Sequence, residues 1–337
     1  MFWIVAGFTA LYAGTMVLSS AVNHGVGFLE ITHVARWMKL ITLLFASVHI
    51  LRNANIFFER AVEIAFLLVV LVNAGQLIGI DSLLQLYDTG NSSSESFSQA
   101  MLDGRVFGTM KNPNDNALMF ALFGAYFLLS KLTWRYLYLG IVFIMVVLTQ
   151  SRTMFVALSL GLTPWLLFQL YRWNKKAFIA ALGIGIAGII LLMNVRFTSL
   201  SSLFTGEAFQ SNSFTTRLDI MNMVFEMNQS SWLLGKGIIP NMQAFLGAAI
   251  DSEFASVYLQ YGAIGVALIS LMIVALFYWS YKNTNRISIS GFFIIMIIAG
   301  MTNLSFSNLY VAPMFFILLG GIPSSLGMLS NSNSQDK

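Results

Sequence analysis

The chain reads as an all-α polytopic membrane protein with about ten transmembrane helices and two long extracytoplasmic loops, and three observations lead there. Of its 337 residues, 57% are apolar and only 9% are charged, and the mean hydropathy is +0.76. A soluble domain carries about 25% charged residues to keep its surface hydrated, so most of this surface faces lipid. Several apolar runs approach or pass the roughly 20 residues that cross a hydrocarbon core. A membrane β-barrel would instead show about ten-residue segments of alternating polarity, whereas the runs here are continuous.

In chain order the spans fall at roughly 2–20, 34–51, 61–79, 114–130, 134–150, 153–171, 177–195, 254–279, 287–305 and 309–329. The first run lacks a charged leader and a small-residue exit, so it reads as a span and not as a cleaved signal. The whole of 1–337 is expected to form a single integral membrane domain, with loops at 80–113 and 196–253.

Orientation follows from the basic residues of the short loops. Arg52, Arg60, Lys131, Arg135, Arg172, Lys175, Lys176, Lys282, Arg286 and Lys337 account for ten of the eighteen Lys and Arg residues, and all fall on one side. That side is cytoplasmic by the positive-inside rule, and an even number of spans puts both termini there. Arg36 and Lys39, near the outer end of the second span, depart from the pattern; snorkelling or a later helix start would accommodate them. Eleven of the fourteen acids lie in or near the outer segments, all but Glu59, Glu63 and Asp336.

The two long loops are both on the outer side, and long loops in a compact protein are commonly functional or disordered. Thr89 to Ser98 has the composition of a flexible tip. The second loop carries apolar residues, Trp232, the glycines of Gly235-Lys236-Gly237 and a candidate helix, so it is expected to fold against the membrane surface.

Spans four, six and eight begin at the outer face, and a helix N-terminus offers free N–H groups and a positive dipole end to anions. Polar motifs mark all three entries: Lys111-Asn112-Pro113-Asn114-Asp115, Gln150-Ser151-Arg152-Thr153 and Asp251-Ser252-Glu253. A short helix is expected to begin at Thr215 or Thr216, where Thr216-x-x-Asp219 has the form of a capping box and Arg217 stands in the first turn. Arg152 reads either as a headgroup anchor or as a bidentate phosphate ligand. Arg217 reads as a phosphate ligand or as a partner of Asp219 or Glu226 on a solvated helix. Asn112-Pro113-Asn114 is also plain helix-start chemistry, and Asp251 could be an N-cap or a base for a sugar hydroxyl. Asp251 and Glu253 are two apart, so on a continuous helix only one of them faces a given site. Arg105, Lys111, Arg196 and Lys236 add outer basic charge without distinctive spacing.

Several chemistries are excluded or disfavoured. With no cysteine there is no disulfide, thiolate metal site or thiol nucleophile. Three histidines (His24, His33 and His49) do not make a His-rich metal site. No internal repeat, heptad array, phosphate loop or dinucleotide fingerprint is present, and no nucleic-acid partner is expected.

Taken in order, these motifs resemble the bacterial O-antigen ligase and polymerase superfamily. The resemblance runs from Gly108-x-x-x-Asn112-Pro113-Asn114 through Ser151-Arg152-Thr153, Arg217 and Leu234-Gly235-Lys236-Gly237 to Asp251-Ser252-Glu253-Phe254 and Gly262-Ala263-Ile264-Gly265. It covers roughly residues 104–270. It implies transfer of a glycan from an undecaprenyl diphosphate carrier to an acceptor hydroxyl at the outer face of the bacterial inner membrane, with no metal or cofactor. It further implies that Arg152 and Arg217 hold the departing diphosphate and that Asp251 orients or deprotonates the acceptor hydroxyl. Lys111, Asn112, Asn114, Arg196, Lys236 and Glu253 would contact substrate.

The ligase branch typically has His-Asn where this chain has Asp251-Ser252, and that departure points to a repeat-unit polymerase for O-antigen, capsule or exopolysaccharide. The implied partners are lipid-linked oligosaccharides, membrane lipid, and a flippase and chain-length regulator of the same pathway. A ligase is the alternative. A polysaccharide transporter or flippase is the second alternative, disfavoured because polar mid-span residues such as Asn73, Gln76 and Asn303 are sparse.

Overall fold

The computed structural model of the chain describes residues 2–51, 55–80, 105–110, 112–173, 212–247, 250–284, 288–303, 306 and 311–332. Among them are eleven α-helices and no strand. In order these are α1 (Phe2–Asn23), α2 (Phe28–Leu51), α3 (Asn55–Leu77), α4 (Pro113–Leu129), α5 (Arg135–Leu148) and α6 (Arg152–Trp173). After them come α7 (Asn212–Met227), the short α8 (Met242–Leu246), α9 (Glu253–Thr284), α10 (Ile289–Thr302) and α11 (Val311–Ser332). Within the described residues, Trp3–Asn23, Phe28–His49 and Glu253–Lys282 are long and apolar enough to cross a bilayer. The expected span at 177–195, the loop tip at 89–98, Lys111 and Arg196 lie outside the described residues.

The side-chain distribution shows why this is a polytopic membrane protein. On α1, Trp3 (80% exposed) and Leu11 (59%) face outward, whereas Thr9, Ser19 and Ser20 are buried. In water that arrangement would be inverted; in lipid the polar side chains must find partners inside the protein. They do: the Thr9 hydroxyl donates to the Val5 carbonyl at 2.9 Å, and Ser19 donates to the Gln260 carbonyl at 2.7 Å.

The chain divides into two compact units. The first comprises Met1–Asn53, Ser211–Ile289 and Gly300–Lys337. Its core is an aromatic string in which Tyr12 meets Trp37 and Tyr261 edge-on, at centroid distances of 5.1 and 5.8 Å, and Trp37 stacks on Phe306. Gly320 of α11 lies against Leu44 and Ser47 of α2, where a Cβ would stand 2.7 Å from that of Ser47, a close crossing of the small-residue kind that membrane helices favour.

The second unit comprises Ala54–Gln210 and Ser290–Ala299. Its centre is α4, in which every residue from Asn116 to Leu129 is buried. A helix apolar on all sides belongs in an interior. Phe66 of α3 sits edge-on to Phe120, Phe123 and Phe127, and Gly161 of α6 crosses Gly291 of α10 backbone to backbone.

Three helix starts differ from expectation, and α3 is one of them, beginning at Asn55 and not at 61. The second helix begins at Phe28, six residues before the expected position 34, so the later start that would have placed Arg36 and Lys39 outside it does not occur. The reason is a cap: Glu30 reaches back to accept the Gly27 N–H at 2.7 Å, the N3-to-cap half of a capping box. Helix α7 already includes Asn212, so Thr216 lies inside it and caps nothing, and Arg217 stands beyond the first turn.

Helix α9 is broken. Gly262 has φ 62° and ψ −161°, a conformation essentially restricted to glycine. The break frees backbone groups within an apolar helix, where each must be paired inside the protein. The turn from Trp232 to Gly237 supplies the partners. Lys236 and Gly237 donate their N–H groups to the Leu259 and Gln260 carbonyls, at 2.8 and 2.9 Å. On the other side of the break Ala263 and Ile264 donate to the carbonyls of Trp232 and Leu233. Asn23 of α1 then holds the turn by donating to the Gly235 carbonyl at 3.0 Å.

Candidate functional site

Asp251-Ser252-Glu253 leads into α9, and the three residues take three different positions. Ser252 is the N-cap: its hydroxyl accepts the Ala255 N–H at 3.3 Å and donates to the Gly300 carbonyl at 3.4 Å. Asp251 is therefore not the cap, and its side chain is 52% exposed. Glu253 is 1% exposed and its carboxylate accepts the Phe306 N–H at 3.2 Å, so it is turned inward.

Helix α7 brings Arg217 to this point. Arg217, Ile220, Val224 and Met227 recur at i, i+3, i+7 and i+10, one face of a helix. The apolar members pack with Leu246 of α8 and with Ile250, Ala255 and Leu259 around the start of α9. Asn228, fully buried, fixes the junction by donating to the Tyr258 carbonyl at 2.7 Å. The charged head of the stripe then faces Asp251, with Arg217 Nη2 3.6 Å from Asp251 Oδ2.

The ion pair lies in a small pocket walled by Ile220, Met221, Ile250 and Met301. Its geometry is loose. One contact at 3.6 Å exceeds hydrogen-bond length, and the buried Nε of Arg217 has no hydrogen-bond partner among the described residues. Asp219 is two residues from Arg217 and exposed, so the alternative pairing along the helix is not the one adopted. Lys236 lies in the turn, where its ammonium donates to the Ser230 hydroxyl at 3.2 Å.

The second unit carries the other polar entries. Asn112 caps α4 by accepting the Asn114 N–H at 2.8 Å, with Pro113 at the first helical position. Arg152 is the first residue of α6 and half-buried, and it follows a turn in which Gln150 adopts φ 53°, uncommon for a residue other than glycine. Arg105 joins these entries. Its Nε donates to the Thr149 carbonyl at 3.1 Å and its Nη2 to Asn114 Oδ1 at 3.3 Å. Spacing did not single out Arg105, because its two partners are nine and 44 residues away.

Two polar residues within α3 also acquire a role that sequence did not reveal. Gln76 accepts the Gly108 N–H at 2.8 Å and donates to the Gly108 carbonyl at 2.9 Å. Asn73 accepts from Asn116 of α4 at 2.7 Å. These amides hold the strand of chain that leads into the Asn112 cap.

No curated protein matches the chain. The family model described as O-antigen ligase matches residues 137–268, from α5 through the break in α9. That stretch, similar to the O-antigen ligase family, contains Arg152, Arg217, Asp251 and both halves of the glycine turn.

Proposed function

We propose that the protein is a glycosyltransferase that polymerises undecaprenyl-diphosphate-linked oligosaccharide repeat units at the outer face of the inner membrane. The observation that carries the reading is the pairing of Arg217 with Asp251 at the mouth of α9, in a stretch similar to the O-antigen ligase family. In the transfer, an acceptor sugar hydroxyl attacks the anomeric carbon of the donor. The carbon–oxygen bond to the carrier breaks, and its electron pair leaves with the diphosphate. Arg217 and Arg152 each recognise phosphate oxygens and offset the developing charge, for which a guanidinium fork is suited. Asp251 receives the hydrogen bond of the attacking hydroxyl and takes its proton as the new bond forms. Asn112, Asn114, Lys111, Arg196, Lys236 and Glu253 are assigned to holding substrate or the backbone around it. Both termini are cytoplasmic in this reading, and the active face is extracytoplasmic.

The description of the matched family favours a second reading, in which the glycan passes from the carrier to a final acceptor. Deleting the gene separates the two. The polymerase reading expects single repeat units on the extracted carrier lipid and no long-chain polymer on gels of surface glycan. Long polymer that accumulates on the carrier without reaching the surface would establish the ligase, and unchanged surface glycan would remove both.

A further inference from the structure

We infer that Asp251 is a resident anion that holds Arg217 until the substrate's diphosphate displaces it, so that arrival of the donor frees this carboxylate. The inference rests on the reading of this pocket as a diphosphate site.

Asp251 occupies two anion positions at once. It faces the guanidinium of Arg217, and it immediately precedes the N-cap of α9, beside the positive end of that helix. Both positions attract phosphate oxygens for the same reason that they attract a carboxylate. Without Asp251, Arg217 would hold an uncompensated charge against Ile220, Met221, Ile250 and Met301.

The contact is built to exchange. It is a single approach at 3.6 Å with the aspartate side chain half exposed, where a bidentate pair would engage both guanidinium edges. The Nε edge is buried and has no partner among the described residues. A monophosphate entering here would replace one oxyanion by another and gain little. A diphosphate brings a second phosphoryl group, so it can take the Asp251 position and reach the start of α9 together. Displacement also frees the carboxylate, so that arrival of the donor releases the group that must meet the acceptor hydroxyl.

The test is isothermal titration of the purified full-length protein in detergent with inorganic pyrophosphate and with inorganic phosphate. Wild type, Asp251→Asn and Arg217→Ala are compared, with Asp251→Ala as a second variant lacking the carboxylate. The expected result is tighter binding of both anions by the two Asp251 variants, by about two- to fivefold, the range over which exposed ion pairs compete. Pyrophosphate binding that Arg217→Ala abolishes but that neither Asp251 variant strengthens would overturn this inference while leaving the diphosphate site standing. Wild type that does not bind pyrophosphate, or binds it as Arg217→Ala does, would remove the site and the inference together.

Discussion

Gly262 lies so close to Leu233 that a Cβ on the glycine would run into the leucine's carbonyl group. Leu233 borders the Leu234-Gly235-Lys236-Gly237 motif and Gly262 opens the Gly262-Ala263-Ile264-Gly265 motif, and their contact explains both. The glycine turn around Gly235 and the Gly262 break are two sides of one backbone joint, in which each supplies the hydrogen-bond partners that the other lacks.

Gly262→Ala should therefore destabilise the fold strongly. The backbone conformation alone costs about 1–3 kcal/mol for a residue with a Cβ, and the collision adds to it. Gly247→Ala is the matched control: its φ is also positive, at 70°, but nothing stands within 4 Å of a Cβ. Thermal unfolding in detergent should show a clear fall in Tm for the first and a smaller one for the second, about 1 kcal/mol. Equal effects would show that the joint is not tightly packed.

Gln76→Ala should cost about 2–4 kcal/mol, because it leaves both the N–H and the carbonyl of buried Gly108 without their partner. Gln76→Glu keeps the acceptor and loses the donor, so its unfolding midpoint should lie between wild type and the alanine variant. A neutral alanine variant would contradict the assigned role.

Asn228→Ala should lower stability by about 1–3 kcal/mol and lower activity as well, since the Asn228 bond to Tyr258 joins the helix of Arg217 to that of Asp251. Val224→Ala, nearby in the same core, is expected to lose stability by cavity formation, about 2 kcal/mol. If stability alone set activity, the two variants would lose activity in proportion to Tm; a larger loss for Asn228→Ala identifies positioning.

Arg217→Ala should behave in the opposite way. A half-exposed ion pair contributes no more than about 1 kcal/mol, so Tm should barely move while transfer is lost. Arg152→Ala should likewise abolish polymer, and Arg→Lys at either position should rescue poorly, because an ammonium cannot reproduce the two-pronged contact. Surface-glycan gels from cells carrying each variant check these outcomes, with membrane insertion verified by immunoblotting.

Much of this was legible in the sequence, and the parts that were not share a cause. Hydropathy located α1 to α6 and α9 to α11 because burial in lipid requires long apolar runs, and helix-start chemistry located the polar entries at Asn112, Arg152 and Asp251. The start of α2 was misplaced although its signal was present, in Gly27 followed three residues later by Glu30. The start of α7 was misplaced because Thr216 and Asp219 imitate a capping box inside a continuing helix. Gln76, Asn73 and Arg105 could not be read, since their partners lie between nine and 44 residues away and no local period records them. The pairing of Arg217 with Asp251 belongs to the same class, as it depends on how Val224 and Leu259 pack.

The most direct test is reconstitution of the purified protein in liposomes with a lipid-diphosphate-linked repeat unit as both donor and acceptor. Carrier-linked products of two and more repeats are expected, with free undecaprenyl diphosphate released at each step, and loss of both in Arg217→Ala. Products that form equally well with Arg217→Ala, or repeat units that cross the bilayer with no new glycosidic bond, would contradict the proposed function.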